Sequence, residues 1–269
     1  MILEIKQTCS KGQNRFDIIS NGEILYKADS SWLPMVTDAS RKMHIADCSG
    51  RVLYQTHYSL LENVGESMLP FKYLFTGSQK FFKFDVVNDM DSYVGSFYAE
   101  TNGIADGKFC VEYNRRILIG YRRKIGVKEY VSFYDGETQV GQITKSNKVV
   151  DNLDSYMMHF LNGYDQWLPI LAFFVIYYDF LYYNHSGEIN KTYSVKYSYT
   201  IDKNKDKYNE NFILNNFGAD EVARMEELMK VKPMVGGMSL KTFWIIFAAG
   251  WGIALLIAAI ILIIVFANL

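Results

Sequence analysis

Apolar and polar residues alternate in short segments between Phe16 and Val150, as in "KFFKFDVV" and "EYVSFYDGETQVGQITKS". Turn residues separate these segments, and Asn21-Gly22, Ser49-Gly50 and Asp135-Gly136 are typical of tight hairpin turns that require positive φ angles. Strand signals at intervals of roughly 8–12 residues are typical of an antiparallel barrel or sandwich. The pattern therefore predicts a mainly β domain.

The alternation stops at "WLPILAFFVIYYDFLYYN", Trp167 to Asn184, which contains no turn signal. Pro169 fits the first turn of a helix. The segment is too short to span a membrane comfortably, because Asp179 limits the uncharged stretch and an aspartate in mid-bilayer costs at least ~2.5–3.5 kcal/mol. A short helix that is apolar on all sides belongs in a protein core. We predict a central hydrophobic helix at about 166–183, inside the β domain.

A second apolar segment, 242–267, has 26 consecutive residues without a charge. As a helix it is about 39 Å long, which exceeds the ~30 Å hydrocarbon core of a bilayer. Lys230, Lys232 and Lys241 precede it, and no basic residue follows it within this sequence. The positive-inside rule then predicts a single-pass tail anchor with the N-terminal domain in the cytoplasm.

Four residues of this segment predict how an anchor would sit in the membrane. Trp244 is placed to lie at the membrane interface. Gly250, Ala254 and Ala258 are spaced by four, a small-residue face that favours a weak homodimer. The alternative is that Gly and Ala are simply common in membrane helices.

Between the two apolar segments the sequence predicts three further features. "KTYSVKYSYTI" alternates as a returning strand, "KNKDKYNEN" is a solvated loop, and "GADEVARMEELMKV" is an amphipathic helix. The apolar face of that helix comprises Val222, Met225, Leu228 and Met229. The predicted domains are a barrel at 1–205, a loop with a stalk helix and a Pro233–Gly236–Gly237 hinge at 206–241, and the anchor at 242–267.

Composition excludes several functional classes. The formal net charge is −1 and the pI is about 6.4, so no nucleic-acid partner is expected. Three cysteines lack the spacing of a metal site and predict reduced thiols. The four histidines form no metal or catalytic motif, and no nucleophile elbow or phosphate-binding glycine loop occurs. We therefore expect neither an enzyme nor a cofactor.

Three aspartates, Asp154, Asp165 and Asp179, form a possible acidic site. Asp165 also suits the N-terminus of the predicted helix, where a carboxylate caps the chain and complements the helix dipole. Asp179 is expected to be partly buried or near a barrel mouth. The alternative is that all three acids are structural residues of turns and helix ends.

A basic run between Tyr113 and Lys128 predicts contact with anionic lipid, to which each Lys or Arg can add about 1 kcal/mol. The run comprises Arg115, Arg116, Arg122, Arg123, Lys124 and Lys128. The alternative is a set of outward strand positions balanced by nearby acids.

The stretch from Val131 to Asp179 resembles the C-terminal half of the tubby-C-terminal-like superfamily, which includes phospholipid scramblases and LURP-one-related proteins. Three features carry the resemblance: "GQITK" at Gly141–Lys145, "DSY" at Asp154–Tyr156, and the hydrophobic helix that ends at Asp179. The resemblance implies a roughly twelve-stranded barrel around that helix. For the basic residues, it implies phosphoinositide contact of the kind made by tubby proteins.

One departure from the family pattern concerns calcium. Where scramblases have two acids in the segment linked to calcium, this chain has Gly163 and Asp165. One carboxylate falls short of the six to eight oxygen ligands that calcium takes, so no metal is predicted.

The expected function is a non-enzymatic, lipid-contacting or scaffold module at the membrane. The alternatives are scramblase-like lipid transport, and a tethered barrel that binds a small ligand or a protein.

Overall fold

The structure is a computed structural model in which twelve antiparallel strands form a closed barrel. It describes residues 1–10, 13–31, 42–58, 63, 78–101, 107–125, 128–146, 153–183, 204–229, 234–235, 238–239 and 245. The barrel strands are β1 (Ile2–Cys9), β2 (Gln13–Ser20), β3 (Glu23–Ser31), β4 (Met43–Asp47), β5 (Val52–His57), β6 (Gln79–Asn88), β7 (Tyr93–Thr101), β8 (Gly107–Tyr113), β9 (Arg116–Ile125), β10 (Lys128–Asp135), β11 (Thr138–Lys145) and β12 (Ser155–Phe160). The helices are α1 (Leu168–Tyr182), α2 (Phe212–Phe217) and α3 (Ala219–Leu228), and a two-residue hairpin pairs β13 (Met234–Val235) with β14 (Met238–Ser239).

Each strand pairs with its sequence neighbours, and β1 closes the barrel by pairing with both β2 and β12. Ile2 lies opposite His159 in that closing pair. The strand prediction began only at Phe16 and therefore missed β1, although Leu3 and Ile5 alternate there with Glu4 and Lys6. The prediction of a mainly β antiparallel barrel is confirmed.

The predicted hairpin turns are also confirmed. Asn21 and Gly22 join β2 to β3 with φ angles of 50° and 85°, the combination that a tight turn between twisted strands requires. Gly50 and Gly136 have positive φ angles in the turns after β4 and β10.

Helix α1 runs through the inside of the barrel after a 3-10 turn at Asp165–Trp167. Every residue from 170 to 179 is buried, as predicted for a core helix. Aromatic rings from several strands surround it: Phe174 lies 5.6 Å from Phe109 on β8 and 5.2 Å from Phe133 on β10, between ring centroids. The predicted central hydrophobic helix is confirmed.

The two ends of the barrel are named by the two ends of α1. At the Trp167 end, Trp167 packs edge-on against Tyr113, the last residue of β8. At the Tyr182 end, Tyr182 packs edge-on against Phe109, three residues into β8. Strands β9 and β11 run from the Trp167 end to the Tyr182 end, whereas β10 and β12 run back.

Helix α3, which the sequence predicted as a stalk, lies against the outer wall of the barrel. Its residues Met225 and Met229 are buried against Tyr130 of β10 and Met157 of β12. At its C-terminal end, the Ser146 hydroxyl donates a hydrogen bond to the Leu228 carbonyl at 3.4 Å. The amphipathic helix therefore forms part of the barrel's outer layer.

Several predicted segments lie outside the described residues. They are the returning strand at 191–201, the hinge residues Pro233, Gly236 and Gly237, and the anchor 242–267 apart from Ile245. Within the described part of the chain, no helix has both the length and the apolar character needed to cross a bilayer.

Candidate functional site

A polar cluster fills the mouth of the barrel at the Tyr182 end. We call it the mouth cluster, and it consists of Arg122, Glu129, Lys145, Asp154, Tyr156, Tyr178, Asp179, Tyr182 and Tyr183. Strand register brings its members together, because Lys145 pairs with Glu129 on one side and with Tyr156 on the other. The last turn of α1 supplies most of its tyrosines and Asp179.

The alternation of the strands explains why these polar residues face inward. Glu129 lies two residues before Val131, and Lys145 lies two residues after Ile143. Val131 and Ile143 are both in the hydrophobic core of the barrel. Residues two apart on a strand share a face, so the polar pair continues the inward-facing rows to the rim.

Glu129 is the hub of one half of the mouth cluster. It accepts hydrogen bonds from the hydroxyls of Tyr178 and Tyr183, both on or next to α1. Arg122 donates to the same carboxylate, with Nε at 2.8 Å and Nη2 at 2.7 Å from Oε1. The Arg122 guanidinium also lies 3.9 Å above the Tyr182 ring, a cation–π contact. A buried carboxylate is tolerated here because it is paired and hydrogen-bonded.

Lys145 and two aspartates form the other half. Lys145 is ion-paired with Asp154, and its ammonium lies 4.4 Å from the centre of the Tyr183 ring. Asp179 is 1% exposed and accepts a hydrogen bond of 2.5 Å from the Tyr156 hydroxyl. Burial, together with the charge of Asp154, raises the pKa of Asp179 to about 7, while Tyr156 and Lys145 oppose that rise. The Asp179 carboxyl group therefore keeps its proton to a higher pH than an exposed aspartate does.

The acids predicted as one site are divided between the two barrel ends. Asp154 and Asp179 meet in the mouth cluster, close enough for their charges to interact. Asp165 is exposed at the Trp167 end, where its carboxylate accepts a hydrogen bond of 3.3 Å from the Gly163 amide. Among the described residues, no group of three or more His, Cys, Asp or Glu side chains could hold a metal ion.

The basic residues predicted as one cluster are divided as well. Arg115 and Arg116 lie at the Trp167 end, where Arg116 Nη2 is 2.6 Å from Asp135 Oδ2. Arg122 lies six residues further along β9, about 20 Å away at the rise of a strand, and faces into the mouth. Arg123 is its neighbour in sequence and therefore points to the outer face, opposite Tyr130. Of the remaining two, Lys124 follows in β9 and Lys128 begins β10.

Six members of the mouth cluster are not among the site residues that the sequence predicts: Glu129, Lys145, Tyr156, Tyr178, Tyr182 and Tyr183. Glu129 and Lys145 stand next to the polar residues Lys128 and Ser146, so their buried position is not evident from their immediate neighbours in the sequence. The signal that could have found Glu129 and Lys145 is a polar residue in phase with the buried face of its strand.

A second buried polar contact lies on the outer wall and joins α3 to β12. His159 is fully buried, and its Nε2 is 2.8 Å from Glu221 Oε1. Burial lowers the pKa of His159, although the Glu221 carboxylate opposes the change. The contact fastens α3 to the barrel. Trp244, Gly250, Ala254 and Ala258, the predicted anchor residues, lie outside the described residues.

Comparisons of this chain with protein-family models, with curated proteins and with solved structures found no match.

Proposed function

We propose that this chain is a non-enzymatic barrel module that is tethered to a membrane by segment 242–267 and acts there through its outer surface, in contact with lipids or as a scaffold. The observation that carries the proposal is the filled interior of the barrel. Small-ligand barrels hold their ligand inside, whereas here α1 occupies that space. Partners of a barrel that is packed with its own side chains bind from outside.

Two further observations support the membrane part of the proposal. Segment 242–267 carries no charge over 26 residues, which is long enough to span a bilayer with some tilt. A barrel around a hydrophobic helix is the architecture that the resemblance to the tubby-like superfamily implies. Scramblase and tubby-like proteins act at membranes, and we propose the same setting for this chain.

Flotation with lipid vesicles tests the tether and the lipid contact separately. We expect the full chain to float with neutral and with phosphatidylserine-containing vesicles and to resist extraction at alkaline pH. A chain that ends at residue 241 should float only with the anionic vesicles, and less so as salt is raised, because surface charge interactions are screened. A full chain that fails to float contradicts the tether. A folded, truncated chain that binds neither kind of vesicle contradicts lipid contact by the barrel and supports the scaffold role.

The burial and ion pairs of the arginines determine which of them can be substituted to change surface charge in this assay. Arg122 is unsuitable, since its loss would leave Glu129 buried without its cation. Arg115 lies in the turn before β9 and Arg116 begins β9, and both are exposed at the Trp167 end, so Arg115→Gln together with Arg116→Gln changes the surface charge without leaving a fully buried acid unpaired. If these residues contact lipid, flotation of the truncated chain with anionic vesicles should weaken.

A further inference from the structure

We infer that the barrel docks on the bilayer with its Tyr182 end, so that the mouth cluster faces the phospholipid head groups. The inference rests on the proposed function, because it takes segment 242–267 as a membrane span. It goes beyond that function by assigning which surface of the barrel meets the membrane.

The path of the chain along the outer wall carries the inference. Helix α3 begins near the Trp167 end, where Glu221 contacts His159, the penultimate residue of β12. It finishes near the Tyr182 end, where the Leu228 carbonyl accepts a hydrogen bond from Ser146, the residue that follows β11. Met229, from which the chain continues toward segment 242–267, therefore lies near the Tyr182 end.

The length of the connection limits how far the span can lie from that end. Twelve residues lie between Met229 and Thr242, which makes thirteen Cα-to-Cα steps. Met234 pairs with Ser239 in the β13–β14 hairpin, so this part of the connection advances by only about 5 Å. At full extension the whole connection then reaches about 32 Å. The ten residues of β6 span at most about 30 Å along the strand, and a strand tilt of roughly 35–45° makes the barrel wall lower than that. A membrane at the Trp167 end would thus use most of this reach to return along the wall, whereas a membrane at the Tyr182 end requires little of it.

The Tyr182 end carries side chains suited to a head-group layer. Tyr182 is 40% exposed beneath the Arg122 guanidinium. On β6, Lys80 is exposed and its ammonium lies 4.3 Å above the Tyr98 ring. Tyrosines with a polar tip and basic side chains with long apolar stems are the residues that settle at membrane interfaces.

Phe82, on the half of β6 nearer the Tyr182 end, adds an apolar contact at a strained position. It has a φ angle of 51° within a bulge of β6, and its side chain is 49% exposed. Its carbonyl accepts a hydrogen bond of 3.0 Å from the Tyr177 hydroxyl, which holds the bulge against the buried helix. Positive φ at a bulky residue costs free energy, and such strain persists where the surrounding structure fixes it.

Exposed apolar side chains also occur at the Trp167 end, where Met90 is 77% exposed. Surface composition alone therefore does not choose between the ends. The direction of α3 and the length of the connection between Met229 and Thr242 favour the Tyr182 end.

Fluorescence quenching in the full-length, membrane-inserted chain tests the orientation. Cys9→Ser and Cys48→Ser leave only the buried Cys110. In that background, Lys80→Cys near the start of β6 and Met90→Cys in the turn after its last residue, Asn88, place one label near each end of the barrel. Each variant carries a nitrobenzoxadiazole label and is reconstituted into vesicles with or without a nitroxide-bearing head group. We expect a loss of intensity for the label at position 80 and none for the label at position 90.

A second pair of labelling sites keeps the orientation testable if a variant of the first pair fails to fold. Lys42→Cys and Arg51→Cys lie at the Tyr182 and Trp167 ends of the β4–β5 hairpin, and both positions are exposed. Quenching at positions 90 and 51, or equal quenching at both ends, overturns the inference. Labels that remain unquenched at both ends of a floating protein overturn it too, while leaving the proposed tether intact. A chain that does not float refutes the proposed function, and the docking surface with it.

Discussion

Replacing Asp179 by asparagine should change how the stability of the barrel depends on pH. In the folded protein the pKa of Asp179 is raised from 3.8 to about 7, chiefly by burial. Between these two pH values the folded state holds a proton that the unfolded state has lost. The free energy of unfolding therefore decreases as the pH rises from about 4 to about 7, and the loss is complete above the folded-state pKa.

The size of that loss follows from the two pKa values. The proton affinities of the folded and unfolded states differ by roughly three powers of ten, and each power is worth 1.36 kcal/mol, so ionised Asp179 costs up to about 4 kcal/mol. An asparagine carries no charge at any pH, and its amide oxygen can still accept the hydrogen bond from Tyr156. Asp179→Asn should therefore match the wild type near pH 4 and exceed its stability increasingly up to about pH 8.

Urea unfolding of residues 1–241, followed by tryptophan fluorescence between pH 4 and pH 8, measures this difference directly. Subtracting the wild-type curve from the variant curve removes the titration of other groups. Asp165→Asn is the matched control, because its carboxyl group is exposed at the opposite end of the barrel and shares no contact with Asp179, and it should lack the gain in stability expected of Asp179→Asn at pH 7. A constant difference for Asp179→Asn, or one that falls as the pH rises, would refute the reasoning.

Three further substitutions test other contacts, each by thermal or urea unfolding. Arg122→Gln should destabilise the protein by roughly 3 kcal/mol, because Glu129 stays buried without its cation. Arg116→Gln should cost less than about 1 kcal/mol, since its pair with Asp135 is exposed. Equal losses for the two variants would contradict the buried position of the Arg122–Glu129 pair. Glu221→Ala should cost about 1–3 kcal/mol by leaving Nε2 of the buried His159 without its partner, and hydrogen exchange should rise in α3 and not in the central strands. Gly141→Ala should cost about 1–3 kcal/mol because the added Cβ would lie 2.4 Å from the Phe160 ring, whereas Gly163→Ala has open space and meets only the cost of its positive φ.

The sequence was sufficient for the architecture because the barrel depends on local patterns. Asn21-Gly22 specifies a hairpin wherever the flanking segments alternate, and the uninterrupted apolar run after Pro169 specifies a helix that must be buried. The sequence did not predict strand β1 because its local signals are weaker. Its alternation is clear in Leu3 and Ile5, but no turn signal as strong as Asn-Gly follows it. Its second partner, β12, lies about 150 residues away, so no local pattern predicts that pairing.

The mouth cluster was only partly predictable because it depends on register across strands. Arg122 and Arg123 are neighbours in sequence, but successive residues of a strand point to opposite faces, so one reaches Glu129 and the other faces outward. Arg116 and Arg122 share a face but are separated by most of the barrel length. A run of basic residues on a strand is therefore not a basic patch, and the positive charge of this one is divided among two ends and two faces. The pairing of β10 with β11 around the buried helix α1 brings Glu129 and Lys145 close to Tyr178 and Asp179. The sequence of β10 or of β11 alone does not specify that pairing. The proposal of lipid contact therefore rests on the end of the barrel at which α3 finishes and not on the number of arginines. The hydrogen bond between Ser146 and Leu228 places the C-terminal end of α3 at the Tyr182 end.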